Sequence, residues 1–290
     1  MQNIDVQNWE HFEDELRRLA TDPATSPNPE ASRFLFRGQR DVTWRLTTTL
    51  ERNGQNRPSL KEYFELISRV RPQIETFTGT TWPIPDHSQY DQWLKDCDTL
   101  MPWKYPAYDY MVYLRHHGFP SPLLDWSRSV YVAAYFAFRE PSVGERVSIF
   151  VFLERPPHGL KVFSSDSPSI WRFGPYVRSH RRHFLHQSEY TICIVSDGEW
   201  RYAAHEDAFA RDDAQQDLLW KFNVPSSERL RVLKSLDAYN LNSFSLFGSE
   251  ESLMETMALR ELQLSSLEGL SNQALQPTSR AVGALSEPSE

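Results

Sequence analysis

The chain has 290 residues, 40% hydrophobic and 24% charged, which is enough for a buried core in one large domain or two small ones. With 31 Lys and Arg against 39 Asp and Glu the net charge is −8, which excludes a basic coat for nucleic acid but not a local basic groove. The two cysteines, Cys97 and Cys193, cannot build a disulfide scaffold or a cysteine-rich zinc site, no apolar run reaches the ~18 residues of a membrane span, and the opening Met1-Gln2-Asn3-Ile4-Asp5 lacks secretion-signal character, so a cytoplasmic protein with reduced thiols and no membrane partner is expected.

Val6–Ala20 reads as an amphipathic helix, because Trp9, Phe12, Leu16 and Leu19 recur every three or four residues. Thr21–Ser32, with three prolines, reads as a loop. Phe34-Leu35-Phe36-Arg37-Gly38 has strand composition and stops at a glycine. Ser59 and Glu62 form a capping box for a helix whose apolar stripe is Leu60, Phe64 and Ile67. Thr78–Pro106 predicts irregular connections with short helical pieces. Tyr108–His116 continues as a helix stopped at Gly118. Val130–Arg139 is a further helix, with Ala133, Ala134 and Ala137 as a small-residue face. Ser148–Leu153 and Tyr190–Val195 read as strands, and Glu206–Phe222, Ser227–Tyr239 and Glu250–Leu264 as helical segments. The stretch 265–290 has no aromatic residue and accumulates Ser, Pro, Gly and Gln, the composition of a disordered tail after one domain over 1–264. The alternation predicts an α+β fold with a mixed sheet core and surrounding helices.

Five groups of residues carry chemistry worth following. Arg37, at a strand end beside Gly38, suits either an anionic ligand such as a phosphate or a structural carboxylate. Asp125 and Ser127 flank Trp126 just before the alanine-rich helix and suit capping, anion binding, or both. His116 and His117 are adjacent and point in different directions from a helix, so no metal pair is expected, and a single histidine remains free for hydrogen bonding. Gln187 and Glu189 stand two apart at the start of a strand and would share a face, an arrangement that can bind a ribose hydroxyl and stabilise positive charge at a sugar carbon. Arg178-Ser179-His180-Arg181-Arg182-His183 is a local basic cluster, readable as a solvated surface or as a phosphate-backbone contact.

Together these pieces resemble a known family. Phe36-Arg37-Gly38-Gln39, Trp44-Arg45-Leu46 and Arg52, followed by His116-His117-Gly118, Leu123-Leu124-Asp125-Trp126-Ser127 and Ala133-Ala134-Tyr135-Phe136-Ala137, are similar to the FRG domain, named for its Phe-Arg-Gly motif; Ser245-Leu246-Phe247 resembles its closing segment. The resemblance covers roughly residues 6–264. It departs at Pro122, where the family often has arginine, at Ser127, where it usually has threonine, and at Ser188-Glu189, where a glycine is common.

The order arginine strand, serine motif, Gln-x-Glu strand is in turn similar to the arginine–serine–glutamate class of ADP-ribosyltransferases. That similarity implies an ADP-ribosyltransferase-like fold and NAD as substrate, with no metal. Arg37, Gln39, His116, Asp125 and Ser127 would hold NAD, Ser127 would brace Glu189, Glu189 would contact the nicotinamide ribose, and Gln187 would orient the acceptor. Trp44, Trp126 and Tyr135 are the aromatic candidates for stacking on a base. The implied function is transfer of ADP-ribose to a macromolecule, protein or nucleic acid, by a toxin or phage-defence effector, with room for a neutralising partner protein. The alternative is a non-catalytic nucleotide-binding or interaction module.

Overall fold

The computed structural model describes residues 1–27, 32–54, 57–97, 105–162, 166–178 and 181–265. In the N-terminal half, strand β1 (Gln2–Asp5) leads into helix α1 (Trp9–Thr21), strand β2 (Leu35–Gln39) and helices α2 (Thr49–Arg52), α3 (Leu60–Thr78), α4 (His87–Cys97) and α5 (Tyr108–His116). Strand β3 (Leu124–Ser127), helix α6 (Val130–Phe138), strands β4 (Arg146–Leu153) and β5 (Ser169–Phe173), and the short helix α7 (Arg182–Leu185) follow. The remainder is β6 (Ser188–Ser196), β7 (Trp200–Tyr202), α8 (His205–Phe209), β8 (Leu218–Pro225), α9 (Arg229–Ala238), α10 (Ser243–Phe247) and α11 (Glu250–Leu259).

The strands form one sheet in the order β1-β8-β4-β2-β3-β6-β5, with β7 also paired to β6. The β1–β8 pair is parallel, and the other pairs are antiparallel. This is the expected α+β architecture, a mixed sheet surrounded by helices.

Alternation along the strands sorts side chains between two faces. On one face, Phe36, Ile149, Val151 and Phe222 pack with α1, α6 and α9. Further along that face, Tyr190, Ile192 and Ile194 pack with α3, α4 and α5. Opposite lies a third cluster, with Leu35, Trp126, Phe150, Phe152 and Leu219. Each large apolar side chain so enclosed contributes roughly 2 kcal/mol against exposure.

Local rules fix the helix starts. Ser59 and Glu62 make the expected reciprocal capping box. The α6 cap differs from expectation: Asp125 and Ser127 lie on β3, and Ser129 accepts the Val132 N–H, because Leu124 and Trp126 alternate into the third cluster and keep the chain extended. The expected helix over 206–222 is short, ending at Phe209, and gives way to β8. There Leu219, facing one cluster, alternates with Trp220 and Phe222, facing another, which a strand permits and a helix does not.

Arg260–Leu264 continues α11 as a single turn of π-helix, capped by Ser265. Of the predicted tail, 265–290, Ser265 still belongs to this helical end, and 266–290 lies outside the described residues. No described helix is long and apolar enough to cross a membrane.

Candidate functional site

A cleft of about 410 Å³ lies where β2 and β3 part, between the β2–α6 and β3–β6 walls. Its floor exists because of Gly38. A Cβ there would stand 1.9 Å from the Ala133 carbonyl oxygen and 2.7 Å from the Ala137 nitrogen, so the β2 backbone lies directly against α6. The small residues predicted for that helix face serve this contact.

Arg37 projects from β2 with its side chain 12% exposed. Its Nη1 donates to the Asp125 carbonyl oxygen at 2.8 Å and lies 3.1 Å from Asp125 Oδ2. Its Nε is buried without a partner, while Nη2 makes no hydrogen bond and is not enclosed. Asp125 Oδ1 accepts from Arg115 Nη2 at 2.6 Å. Burial pushes the Asp125 carboxyl up, but Arg115 and Arg37 outweigh it and hold the group well below the usual carboxylate range. Asp125 is therefore a fixed anion that positions two guanidinium groups.

Gln39 is buried; its Nε2 donates to the Arg45 carbonyl at 3.2 Å, and its Oε1 has no partner. Arg37 and Gln39 line the cleft, as do Asp125 and Ser127.

Ser127 sits opposite Ser188 in the β3–β6 register, and both line the cleft. Ser127 Oγ donates to the His186 carbonyl at 2.7 Å and accepts the Ser129 N–H at 3.0 Å. The expected Ser127–Glu189 hydrogen bond is not formed. Glu189 follows Ser188 on the strand and therefore points to the other face, beside Trp126. It is 2% exposed, with Oε2 accepting from Arg172 Nε at 2.7 Å and Oε1 lying 3.9 Å from Arg128 Nε.

Gln187 does not share that face either. It has φ of 49°, lies in the turn before β6 and is exposed, which removes the strand geometry that would have aligned it with Glu189. His116, at the end of α5, is 2.8 Å from the Tyr190 hydroxyl and does not line the cleft. Burial, with lesser contributions from His186, Arg115 and His183, lowers its pKa to about 3 despite the opposing pull of Asp125, so it is neutral at pH 7.

Of the three aromatic candidates, Trp44 lines the cleft mouth and is 41% exposed, with the Arg40 guanidinium 5.1 Å over its ring. Trp126 also lines the cleft but is buried against Phe152 and donates to Thr191, and Tyr135, on α6, is buried and does not line it. Phe136, which the sequence offered only as part of the family signature, lines the cleft beside His186.

Sequence reasoning also gave no role to two cleft arginines, Arg40 and Arg139, which pair with Glu140 and Glu255. Arg52 entered it as part of the family signature alone. The signal was the density of arginine between Arg37 and Arg52, four in sixteen residues. Arg52 has no side-chain hydrogen bond or ion pair among the described residues. Burial, then the like charges of Arg37 and Arg115, push its pKa down, with Asp125 and Glu51 opposing.

The basic cluster is largely engaged internally. Arg181 donates to the Gly248 carbonyl, Arg182 lies 5.4 Å over Phe247, and His183 contacts the Pro175 carbonyl and the Tyr190 hydroxyl. Ser179 and His180 lie outside the described residues. Among the described residues no group of three or more His, Cys, Asp and Glu is arranged to hold a metal ion.

The cleft is built from the Phe-Arg-Gly strand and the Leu-Asp-Trp-Ser strand, and the family model that matches the chain spans both: it is the FRG domain, over residues 32–146. Over those residues the chain is similar to the FRG domain. No curated protein and no solved structure shows significant similarity to it. The FRG match holds β2, α6 and the intervening helices, whereas β6 and β8, which complete the sheet, lie beyond it. Cleft residues His186 and Ser188 therefore come from outside the matched segment.

Proposed function

We propose that the FRG cleft binds a nucleotide through its phosphates. One observation carries this reading: Arg37 and Arg52 reach one cleft with guanidinium donors that no carboxylate of the described residues consumes. Asp125 holds Arg37 in place through one nitrogen and leaves another open. Trp44 supplies an open aromatic face at the mouth for a base, and the unpartnered Gln39 Oε1 is an acceptor suited to a ligand hydroxyl. The test is calorimetry of the full chain with NAD, ADP-ribose and AMP. Binding that is lost in Arg37→Ala is expected, and failure of all three to bind would end the reading.

A second reading, NAD-dependent ADP-ribosyl transfer to a protein or nucleic-acid acceptor, has its own support. The strands bearing Arg37, Ser127 and Glu189 are consecutive in the sheet, β2-β3-β6. Against it stands the engagement of Glu189, whose carboxylate is held by Arg172 and does not line the cleft. Release of nicotinamide from labelled NAD, abolished in Glu189→Gln, would support transfer. Binding of NAD with no nicotinamide released leaves a binding module. A toxin or defence role, a neutralising partner and NAD as true substrate all stand or fall with that measurement.

A further inference from the structure

We infer that Arg52 makes this cleft selective for ligands carrying two negative charges, either a terminal phosphate monoester or a pyrophosphate, over ligands carrying one. The inference rests on the nucleotide-binding reading above and specifies its ligand.

The charges around Asp125 do not balance. Arg37 and Arg115 both contact its carboxylate, and Arg52 stands close enough to feel all three groups. Three guanidinium groups against one carboxylate leave two positive charges uncompensated. Glu51, the next nearest carboxylate, is turned to the Thr48 backbone N–H and hydroxyl, where it closes the α2 capping box. Arg40 and Arg139 add nothing to this excess, because Glu140 and Glu255 neutralise them.

The excess is also directional. Asp125 uses Oδ1 for Arg115 and Oδ2 for Arg37, so Arg52 receives no carboxylate oxygen of its own. It keeps all five of its N–H donors, and Arg37 keeps its Nη2. Like charges held together in a partly desolvated wall repel, and a doubly charged ligand relieves that repulsion more than a singly charged one. A phosphate monoester carries a charge near −2 at neutral pH, with a second pKa of about 6, and a pyrophosphate diester carries one charge on each phosphorus. A cyclic phosphodiester carries one in all.

The experiment is calorimetric titration of the full chain and of Arg52→Ala with AMP, ADP-ribose and cyclic AMP at pH 7.5. Arg52 is exposed and bonded to nothing through its side chain, and an unchanged melting temperature serves as the folding control. AMP, ADP-ribose or both are expected to bind about tenfold tighter than cyclic AMP, the size of effect a charge-assisted hydrogen bond supplies. Arg52→Ala should collapse that difference by weakening the doubly charged ligands more than cyclic AMP. Preference for AMP assigns a terminal phosphate, and preference for ADP-ribose assigns a pyrophosphate. Equal binding of all three, or discrimination that survives Arg52→Ala, overturns the inference and leaves nucleotide binding intact. Absence of binding by all three removes the nucleotide reading as well.

Discussion

Ser188 and Glu189 are consecutive on β6 and serve opposite faces of the sheet: Ser188 borders the cleft, and Glu189 is enclosed on the far side with Arg172 2.7 Å from its carboxylate. A one-residue step along a strand separates a group available to a ligand from a group committed to the fold.

Glu189→Gln is therefore expected to act on stability. Removing one partner of an enclosed ion pair leaves the other charge uncompensated, at a cost of about 3 kcal/mol. Glu154, 4.0 Å from Arg172, offsets part of it. Urea unfolding should show the loss, while calorimetry shows unaltered ADP-ribose affinity. Normal stability with lost affinity would place the carboxylate in the service of the cleft.

Gly38→Ala should be among the most damaging single changes in the FRG segment. The new methyl would meet α6 backbone rather than a movable side chain. Overpacking of this kind costs about 3 kcal/mol or more. A urea midpoint equal to that of the unmodified chain would refute the direct strand–helix contact.

Acid should weaken the fold through its enclosed histidines, offset in part by Asp217, whose carboxyl pKa burial raises to about 6. His205 is fully enclosed, with its Nε2 2.9 Å from the Thr191 hydroxyl, and burial lowers its pKa to about 3. An unfolded histidine titrates near pH 6.5. The folded chain thus refuses a proton that the unfolded chain accepts, so this stability is complete above about pH 6.5 and declines as the pH falls toward about 3. The slope for His205 is about 1.4 kcal/mol per pH unit, and His116 acts in the same direction. Asp125, whose pKa is depressed, adds a further loss only below about pH 4. Unfolding midpoints measured at pH 7.5 and pH 5 should differ accordingly, and a flat profile would contradict the enclosure of these rings.

Cys193 should be inert to thiol reagents in the native state. It is 1% exposed in the cluster behind β3 and β6, and burial pushes its thiol well above the usual range. A chromogenic disulfide reagent at pH 8 should titrate it only after denaturation. Rapid native labelling would show that this side of the sheet opens.

Where local chemistry decides an element, the sequence was readable. Ser59 with Glu62 placed the start of α3, the Trp9–Phe12 spacing placed α1, and Gly118, with φ of 85°, stops the chain after α5 as its position suggested. The motif residues Arg37, Gln39, Asp125 and Ser127 do share one cleft. Reading failed where long-range pairing decides. β1 and β5 carry little pattern of their own and exist because β8 and β6 lie beside them. Whether Ser188 or Glu189 meets the cleft depended on register with β3, and Gln187 was lost to a left-handed turn that no neighbouring glycine announced. Arg52 acquires its meaning from what fails to pair with it, which a linear string does not display.

The seating of α6 on bare β2 backbone bears on how a ligand could be admitted. Strand and helix share no compressible side-chain layer at Gly38, so neither can slide or tilt without breaking the other. A guest must therefore be accepted into a preset mould, and discrimination among guests of similar size falls to their ionic character rather than to closure around their shape.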